Sequence, residues 1–368
     1  MSRGSSETLC IIGVVSDAAW RQIRALRAAP PMLAQDARRR AVFGAALQQS
    51  QELFDAATAV GPASKPLPLF YALSQAGRAI TAAHNPDHTT WAVRGHGLVV
   101  RVNTEDVRDT IVKANASRAG NDAPSSVAAA LASAPLSGSM TLAALVAALP
   151  ELRELVQLRG AAVPALEITP EAELPHWMHT RLPPARGTLH VQVPDSESID
   201  TVLAAYAGVD GYEHVVPPAS LGETGWQQVL LSWPARSAQH APPGSRSLRH
   251  LSDVADRVDG RWYLRPRLGL SDEPPRRLLV WWALLLGLSS LARYQPAEWV
   301  AALDVDRCVL AVDLEETVRV AEREVPKLIA TALGTSGQAP HPWRREALAR
   351  LRTEATASSR VADVEDNQ

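Results

Sequence analysis

Residues 66–84 constrain the fold of this chain more than any other stretch, because their pattern predicts one helix with well-defined ends. Pro66 suits the first turn of a helix, where the missing N–H costs no internal hydrogen bond, and Pro86 stops the helix after Asn85. The apolar residues recur at spacings of three and four: Leu69, Leu73, Ala76, Ile80 and Ala83. We therefore expect an amphipathic helix that packs in the middle of the protein.

The opposite face of this predicted helix carries polar residues that differ from an ordinary solvated surface. They are Tyr71, Ser74, Gln75, Arg78 and Thr81. A fully solvated helix face would more often carry Glu and Lys. The pattern indicates a half-buried polar face, and Tyr71, Ser74 and Gln75 are its candidate substrate-binding residues.

Arg78 and His84 are the candidate catalytic residues on this helix. They are six positions apart, so they lie about 120° apart around the helix axis and about 9 Å apart along it. An arginine that binds a phosphate and a histidine that transfers a proton would suit RNA cleavage without a metal ion. The two side chains could meet one substrate if the last turn unwinds before Pro86, or across a dimer.

A second interpretation gives the same two residues structural roles. Arg78 would pair with a buried carboxylate, and His84 would stabilise the C-terminus of its helix, where positive charge is favourable. The protein would then be a non-catalytic scaffold or a protein that binds other proteins. A cleft shared by Arg78 and His84 favours catalysis, whereas burial of Arg78 against Asp or Glu favours the scaffold.

The composition of the whole chain limits the functions that need strong charge or an oxidising compartment. The 368 residues are 46% hydrophobic, which is enough for one large domain or two. The formal net charge of -2 gives no overall positive field for nucleic acid, so RNA binding would need a local basic patch. Cys10 and Cys308 make neither a disulfide framework nor a zinc motif, and the first residues lack a signal-peptide pattern. We expect a cytoplasmic protein.

Helical patterns at both ends and β-branched runs between them predict an α+β protein that is mainly α. Helical N- and C-terminal parts would surround a common core, with a small β-rich middle region. The apolar run 278–292 is shorter than the roughly 20 residues that span a bilayer, so we expect a buried helix and no membrane contact. We expect a helical hairpin plus β-hairpin at 17–102, a flexible linker at 103–139 and a mixed α/β middle at 140–270. A C-terminal helical part at 271–355 would pack on the N-terminal helices, and a disordered tail would follow at 356–368.

Histidines outside the central helix raise a third hypothesis, a small-molecule enzyme. His176 and His179 have i,i+3 spacing but no third ligand at a usable spacing, so we expect no metal there. The hypothesis needs these residues or His190 to gather around one pocket. His96 lies between two glycines, as a solvated turn residue would. The chain carries no glycine-rich phosphate loop and no Gly-x-Ser-x-Gly motif, and no cofactor is expected.

Two stretches together resemble a known family. They are Leu69–Ile80, which reads Leu-Phe-Tyr-Ala-Leu-Ser-Gln-Ala-Gly-Arg-Ala-Ile, and Leu288–Trp299, which reads Leu-Ser-Ser-Leu-Ala-Arg-Tyr-Gln-Pro-Ala-Glu-Trp. Both are similar to segments of the YaaC-like family, in an actinobacterial form. The resemblance covers roughly residues 17–335 and implies no mechanism.

The spacing Arg78-x5-His84 is separately similar to the Arg-x4-6-His motif of HEPN domains. These are helical, usually dimeric ribonucleases of defence and toxin systems. The resemblance implies catalytic roles for Arg78 and His84 and names RNA and a second copy of the chain as partners. Under the scaffold interpretation, the partner would be another protein.

Overall fold

The computed structural model describes a helical body and two antiparallel sheets. The described residues are 18–92, 95, 97–115, 122–170, 189–194, 198–206, 213–215, 226–232, 255–271 and 273–334. The class predicted from the sequence, α+β and mainly α, is confirmed.

The helices form most of the described structure. They are α1 at residues 18–28, α2 Ala37–Thr58, α3 Pro66–His84, α4 Ala123–Ala130, α5 Leu142–Ala147, α6 Val156–Arg159, α7 Ile199–Ala204, α8 Arg277–Tyr294, α9 Pro296–Ala302 and α10 Ala311–Gly334. Short 3-10 turns lie at Met32–Gln35, Val107–Asp109 and Pro150–Leu152.

The strands form two separate sheets. The first has the order β1-β2-β3 and comprises β1 Leu98–Arg101, β2 Ile111–Ala114 and β3 Ser139–Thr141. The second has the order β6-β7-β5-β4-β9-β8 and comprises β4 Leu166–Pro170, β5 Leu189–Pro194, β6 Glu213–Val215, β7 Trp226–Ser232, β8 Ala255–Val258 and β9 Arg261–Leu264. Neighbouring strands are antiparallel throughout both sheets.

The helical hairpin of α2 and α3 begins with a side-chain cap. The Asp36 carboxylate accepts hydrogen bonds from the backbone N–H groups of Arg38 and Arg39, each at 3.1 Å, which fixes the start of α2. The chain turns after α2, and Pro66 starts α3. The short connection makes the two helices antiparallel neighbours, so the first turn of α2 lies beside the last turn of α3.

Helix α3 lies in the centre of the helical body and packs against α2, α4, α8 and α10. Its predicted apolar stripe is buried: Leu69, Leu73, Ala76 and Ile80 are each 0% exposed. Gly77 permits a close approach to α8, because a Cβ at this position would lie 2.6 Å from Cη2 of Trp282.

Helix α8 is buried nearly all round, as its apolar sequence predicted. Trp281, Trp282 and Leu285 are each 0% exposed. Gly287 lets α5 approach, since a Cβ there would lie 2.6 Å from Cδ2 of Leu142. Within the described ranges, no helix combines the length and the apolar character needed to cross a bilayer.

The structure differs from expectation in residues 103–139, which the sequence suggested to be a flexible linker. This segment contains β2 and α4, and both Val112 and Val127 are 0% exposed. The Asp122 carboxylate caps α4 by accepting the N–H of Ser125 at 2.9 Å. The many small residues of this segment gave it the composition of a linker. They pack tightly here because α3 also presents small residues at the contact.

The sequence also predicted a β-hairpin before residue 102, whereas the strand that pairs with β1 lies after that residue. Strand β1 pairs with β2 in the register Leu98↔Ala114 to Arg101↔Ile111. Gly97 precedes this strand with φ 62, and a Cβ there would collide with the side chain of Asp122. The glycine therefore brings the start of β1 against the cap of α4.

Candidate functional site

The candidate site is a polar strip on the one face of α3 that its neighbours leave accessible. Tyr71, Ser74, Gln75 and Arg78 follow i, i+3, i+4 and i+7 spacing, so they share one side of the helix. Tyr71 is 38% exposed, Arg78 is exposed, and Ser74 and Gln75 are half-buried. We call these four residues the α3 strip. The half-buried polar face predicted from the sequence is present at Ser74 and Gln75, whereas Tyr71 and Arg78 are more exposed and Thr81 is 0% exposed.

At one end of the α3 strip, Tyr71 meets the last turn of α8. Nη1 of Arg293 donates a hydrogen bond to the Tyr71 hydroxyl at 3.1 Å. The same guanidinium lies over the ring of Tyr294, 5.1 Å from its centroid. Tyr294 is 63% exposed, so most of its ring surface is open to solvent. Sequence reasoning did not connect these three residues, because 222 positions separate Arg293 from Tyr71.

Arg78 lies at the other end of the α3 strip, one turn before Ala82. Its side chain is exposed, which differs from the buried position required by the scaffold interpretation. Its backbone carbonyl accepts a hydrogen bond from Oγ1 of Thr81 at 3.0 Å. The guanidinium is therefore placed where a ligand in solvent can reach it.

His84 is the last residue of α3 and is half-buried. Its Nε2 lies 3.1 Å from the backbone carbonyl of Leu333, at the end of α10. A carbonyl only accepts, so Nε2 carries the proton and Nδ1 of the neutral ring is the acceptor nitrogen. Burial lowers the pKa of His84 by penalising the charged form, and the hydrogen bond to Leu333 only partly opposes this. The ring is therefore mainly neutral at pH 7.

The described backbone does not bring Arg78 and His84 together within one chain. Helix α3 stays helical to His84, and only Asn85 leaves the helix, with φ -80 and ψ 112. The two side chains therefore point about 120° apart and start about 9 Å apart along the axis. Within one protomer, Arg78 and His84 therefore lie on different faces of α3.

Arg39 is a buried structural cation that sequence reasoning missed. It is 4% exposed, and its Nη1 donates to the carbonyls of Ala82 at 3.2 Å and Asn85 at 2.7 Å. Its guanidinium lies 4.9 Å from the ring centroid of Trp91. Burial lowers the pKa of Arg39, and the carboxylate of Asp36 opposes that effect. Arg39, rather than His84, supplies the positive charge at the C-terminus of α3.

Arginines and carboxylates also meet in a buried cluster between the helical body and the second sheet. The Glu151 carboxylate accepts Nη1 of Arg277 at 3.2 Å and Nε1 of Trp281 at 2.8 Å. Asp256 on β8 lies 3.2 Å from Nε of Arg265 and 3.5 Å from Nε of Arg277. Burial works to lower the pKa of Arg277, but the facing carboxylates outweigh it and the pKa is raised. The ion pair between Arg277 and Asp256 in this cluster links α8 to strand β8 of the second sheet.

The described residues provide no group of three or more His, Cys, Asp or Glu side chains that could hold a metal ion. The histidines of the third hypothesis fall outside this part of the chain. His96, His176 and His179 are not among the described residues, and neither is the side chain of His190.

Comparison with known proteins identifies a family without adding a mechanism. A family model described as YaaC-like Protein matches residues 18–333, which is most of the chain and includes the whole α3 strip. No curated protein matches the sequence. No solved structure matches it either.

Proposed function

Because the chain belongs to the YaaC-like family, whose description carries no reaction, we propose its activity from the α3 strip: metal-independent cleavage of RNA, as in HEPN ribonucleases. The observation that carries the proposal is the exposure of Arg78 on the same helix that ends at a neutral His84. An exposed arginine can bind a phosphate, and a neutral imidazole can accept a proton. Since cellular RNA is its substrate, the protein would work in the cytoplasm.

The proposed chemistry is transfer of the phosphoryl group to the neighbouring hydroxyl of RNA. The 2′ oxygen attacks phosphorus, the bond from phosphorus to the 5′ oxygen breaks, and Nδ1 of His84 accepts the proton of the 2′ hydroxyl. The departing 5′ oxygen takes a proton from water. Arg78 offsets the negative charge on the phosphoryl oxygens, which needs no metal ion. The products are a 2′,3′-cyclic phosphate and a 5′ hydroxyl.

The proposed site is shared between two copies of the chain. Arg78 and His84 diverge on a regular helix, so the unwinding route to a site within one chain is not available. Arg78 of one protomer would face His84 of the other, which a two-fold axis produces twice. Tyr71, Ser74 and Gln75 would hold the nucleotides that flank the scissile bond, because they continue the α3 strip away from Arg78.

The test is RNA cleavage in EDTA by wild type, Arg78→Ala and His84→Gln. Glutamine keeps an N–H that can donate to Leu333, so the second variant retains the tie between α3 and α10. Arg319→Ala on α10 is the charge-matched control, since the Arg319 side chain is 65% exposed and pairs only with Glu315 and Glu316 of its own helix among the described residues. We expect both site variants to be inactive and the control to be active, with all four chains folded by circular dichroism.

Mixing the two inactive variants tests the shared site directly. After exchange of protomers in an equal mixture, about half of the dimers are heterodimers, and each heterodimer has one intact site of two. The mixture should therefore regain about a quarter of the wild-type rate. An active wild type whose variants do not complement each other would contradict the shared site. A wild type that cleaves no RNA would overturn the ribonuclease proposal altogether.

A second candidate function, a non-catalytic protein that binds other proteins, is favoured by one observation. The Nε2–H of His84 is already used by Leu333, which is what a purely structural histidine would show. Under this alternative, His84→Ala, which removes the hydrogen bond to Leu333, affects only stability. Failure of the wild type to cleave RNA, together with a stability defect in His84→Ala, would favour this alternative.

A further inference from the structure

We propose that Tyr294, Arg293 and Tyr71 form a binding subsite for single-stranded nucleic acid, in which a base stacks on Tyr294 and Arg293 binds the adjoining phosphate. The ligand class rests on the proposed function, but the subsite lies at the opposite end of the α3 strip from Arg78 and includes two residues of α8. The geometry that points to this subsite is the contact of one guanidinium with both tyrosines.

The subsite is preorganised before any ligand binds. Arg293 is held by the Tyr71 hydroxyl at 3.1 Å and by the Tyr294 ring at 5.1 Å, so it need not lose side-chain freedom on binding. The guanidinium covers one part of the Tyr294 ring. Tyr294 is 63% exposed, so the rest of its ring surface is open to solvent. A base can stack there because every base has a π-face, whichever the sequence.

The charge of Arg293 is available to an anion. The contacts made by its guanidinium are to a neutral hydroxyl and a neutral ring, and no carboxylate of the described residues forms an ion pair with it. An arginine held by neutral groups keeps its full charge for a phosphate, which it can bind through two N–H groups. A guanidinium beside an exposed aromatic face suits a nucleotide, which carries both a phosphate and a base, so the chemistry favours nucleic acid.

The subsite is in line with Arg78 along the α3 strip. Tyr71 and Arg78 are seven positions apart on one helix face, which places them about 10 Å apart. A stacked strand advances about 3.4 Å per nucleotide, so about three nucleotides would span the distance. Ser74 and Gln75 lie between the two ends and can donate to the sugar and phosphate oxygens of that strand.

Binding can be separated from cleavage with a ligand that has no free 2′ hydroxyl. We would measure fluorescence anisotropy of a 2′-O-methyl oligouridylate of about eight nucleotides, and of an abasic oligomer with the same phosphates. Tyr294→Ala should weaken binding of the base-containing ligand about fivefold or more and leave the abasic ligand unchanged. Tyr294→Phe keeps the ring and should bind as the wild type does.

The role of Arg293 has its own readout in the salt dependence. Loss of one phosphate contact should lower the slope of log Kd against log salt concentration by about 0.7 in Arg293→Gln. Arg319→Gln, which removes an exposed charge on α10, should leave the slope unchanged. An unchanged slope in Arg293→Gln would contradict the phosphate contact.

Three results would overturn the subsite: no binding by the wild type, equal losses for both ligands in Tyr294→Ala, or conversion of a dimer to a monomer by Tyr294→Ala without loss of binding. The last result would make the surface a protein interface. Because neither ligand can be cleaved through its 2′ oxygen, these results do not depend on catalysis. Tyr294-dependent binding without RNA cleavage would refute only the proposed reaction, and cleavage insensitive to Tyr294 would refute only the subsite.

Discussion

His84 and Leu333 join the last turns of α3 and α10 through a hydrogen bond of 3.1 Å between Nε2 and the backbone carbonyl oxygen. The two residues are 249 positions apart, so this bond ties the centre of the fold to its last described helix. It also fixes which ring nitrogen carries the proton, and hence which nitrogen can act as a base.

The lowered pKa of His84 predicts a loss of stability in acid. Because the folded-state pKa lies below the ordinary 6.5, the unfolded chain takes up this proton first as the pH falls. The stabilising contribution is complete above pH 6.5 and is lost as the pH falls from there through the folded pKa. Urea unfolding at about pH 7.5 and about pH 5.5 should show a smaller change in unfolding free energy in His84→Gln than in the wild type. An equal change in both proteins would contradict the assignment to His84.

The contact between Gly77 and Trp282 predicts that Gly77→Ala destabilises the protein. The new Cβ would lie 2.6 Å from Cη2 of Trp282, so α3 and α8 must separate, at a cost of about 1–3 kcal/mol. Gly44→Ala is the matched control, because Gly44 is also within a helix but has no atom within 4 Å of the new Cβ. Replacing this glycine should stabilise α2 by about 0.5–1 kcal/mol. Urea denaturation should show a lower unfolding free energy for Gly77→Ala and a higher one for Gly44→Ala than for the wild type.

The buried guanidinium of Arg39 predicts a large effect of Arg39→Met. Methionine fills part of the volume but leaves the carbonyls of Ala82 and Asn85 without their donor, which should cost about 1–3 kcal/mol. Arg40→Met on the adjacent exposed position should change the unfolding free energy by less than about 0.5 kcal/mol. Similar values for the two variants would mean that the cap of α3 contributes little.

The cluster around Glu151 predicts that Glu151→Gln destabilises the contact between α8 and the second sheet. The amide oxygen can still accept Nε1 of Trp281, but Arg277 loses a carboxylate whose side chain is only 2% exposed, at a cost of about 3 kcal/mol. Glu154→Gln, at a side chain 82% exposed, should be close to neutral. Hydrogen exchange should show the loss of protection in β8 and β9 first. Added salt should alter the effect little, since buried charges are weakly screened.

The sequence was informative where its pattern was periodic and local. The ends of α3 followed from Pro66 and Pro86, and the burial of α8 followed from its apolar residues on every side. Strand β9 contains two consecutive aromatic residues, Trp262 and Tyr263, a residue type that favours strands. The structure of segment 103–139 was harder to predict, because a sequence rich in alanine and serine is found both in flexible linkers and in tightly packed helices.

The contacts of the site could not be read from the sequence, because each joins residues far apart in the chain. Arg39 was missed because an arginine in the first turn of a helix resembles a solvated residue. A signal did exist: in an antiparallel hairpin, that turn must lie beside the C-terminus of α3. The pairing of Arg293 with Tyr71 had no such signal, since 222 positions separate them and no periodicity links the two helices.

The central position of α3 has a consequence for synthesis on the ribosome. Its partner α2 is made just before it, so the hairpin can form early, whereas α8 and α10 arrive about two hundred residues later. Until then, the side of α3 around Gly77 has no α8 to cover it, and a nascent chain carries an apolar surface that a chaperone can bind. Arrest of translation before residue 277 should therefore yield a chaperone-bound intermediate, and release should follow once Trp282 has left the ribosome.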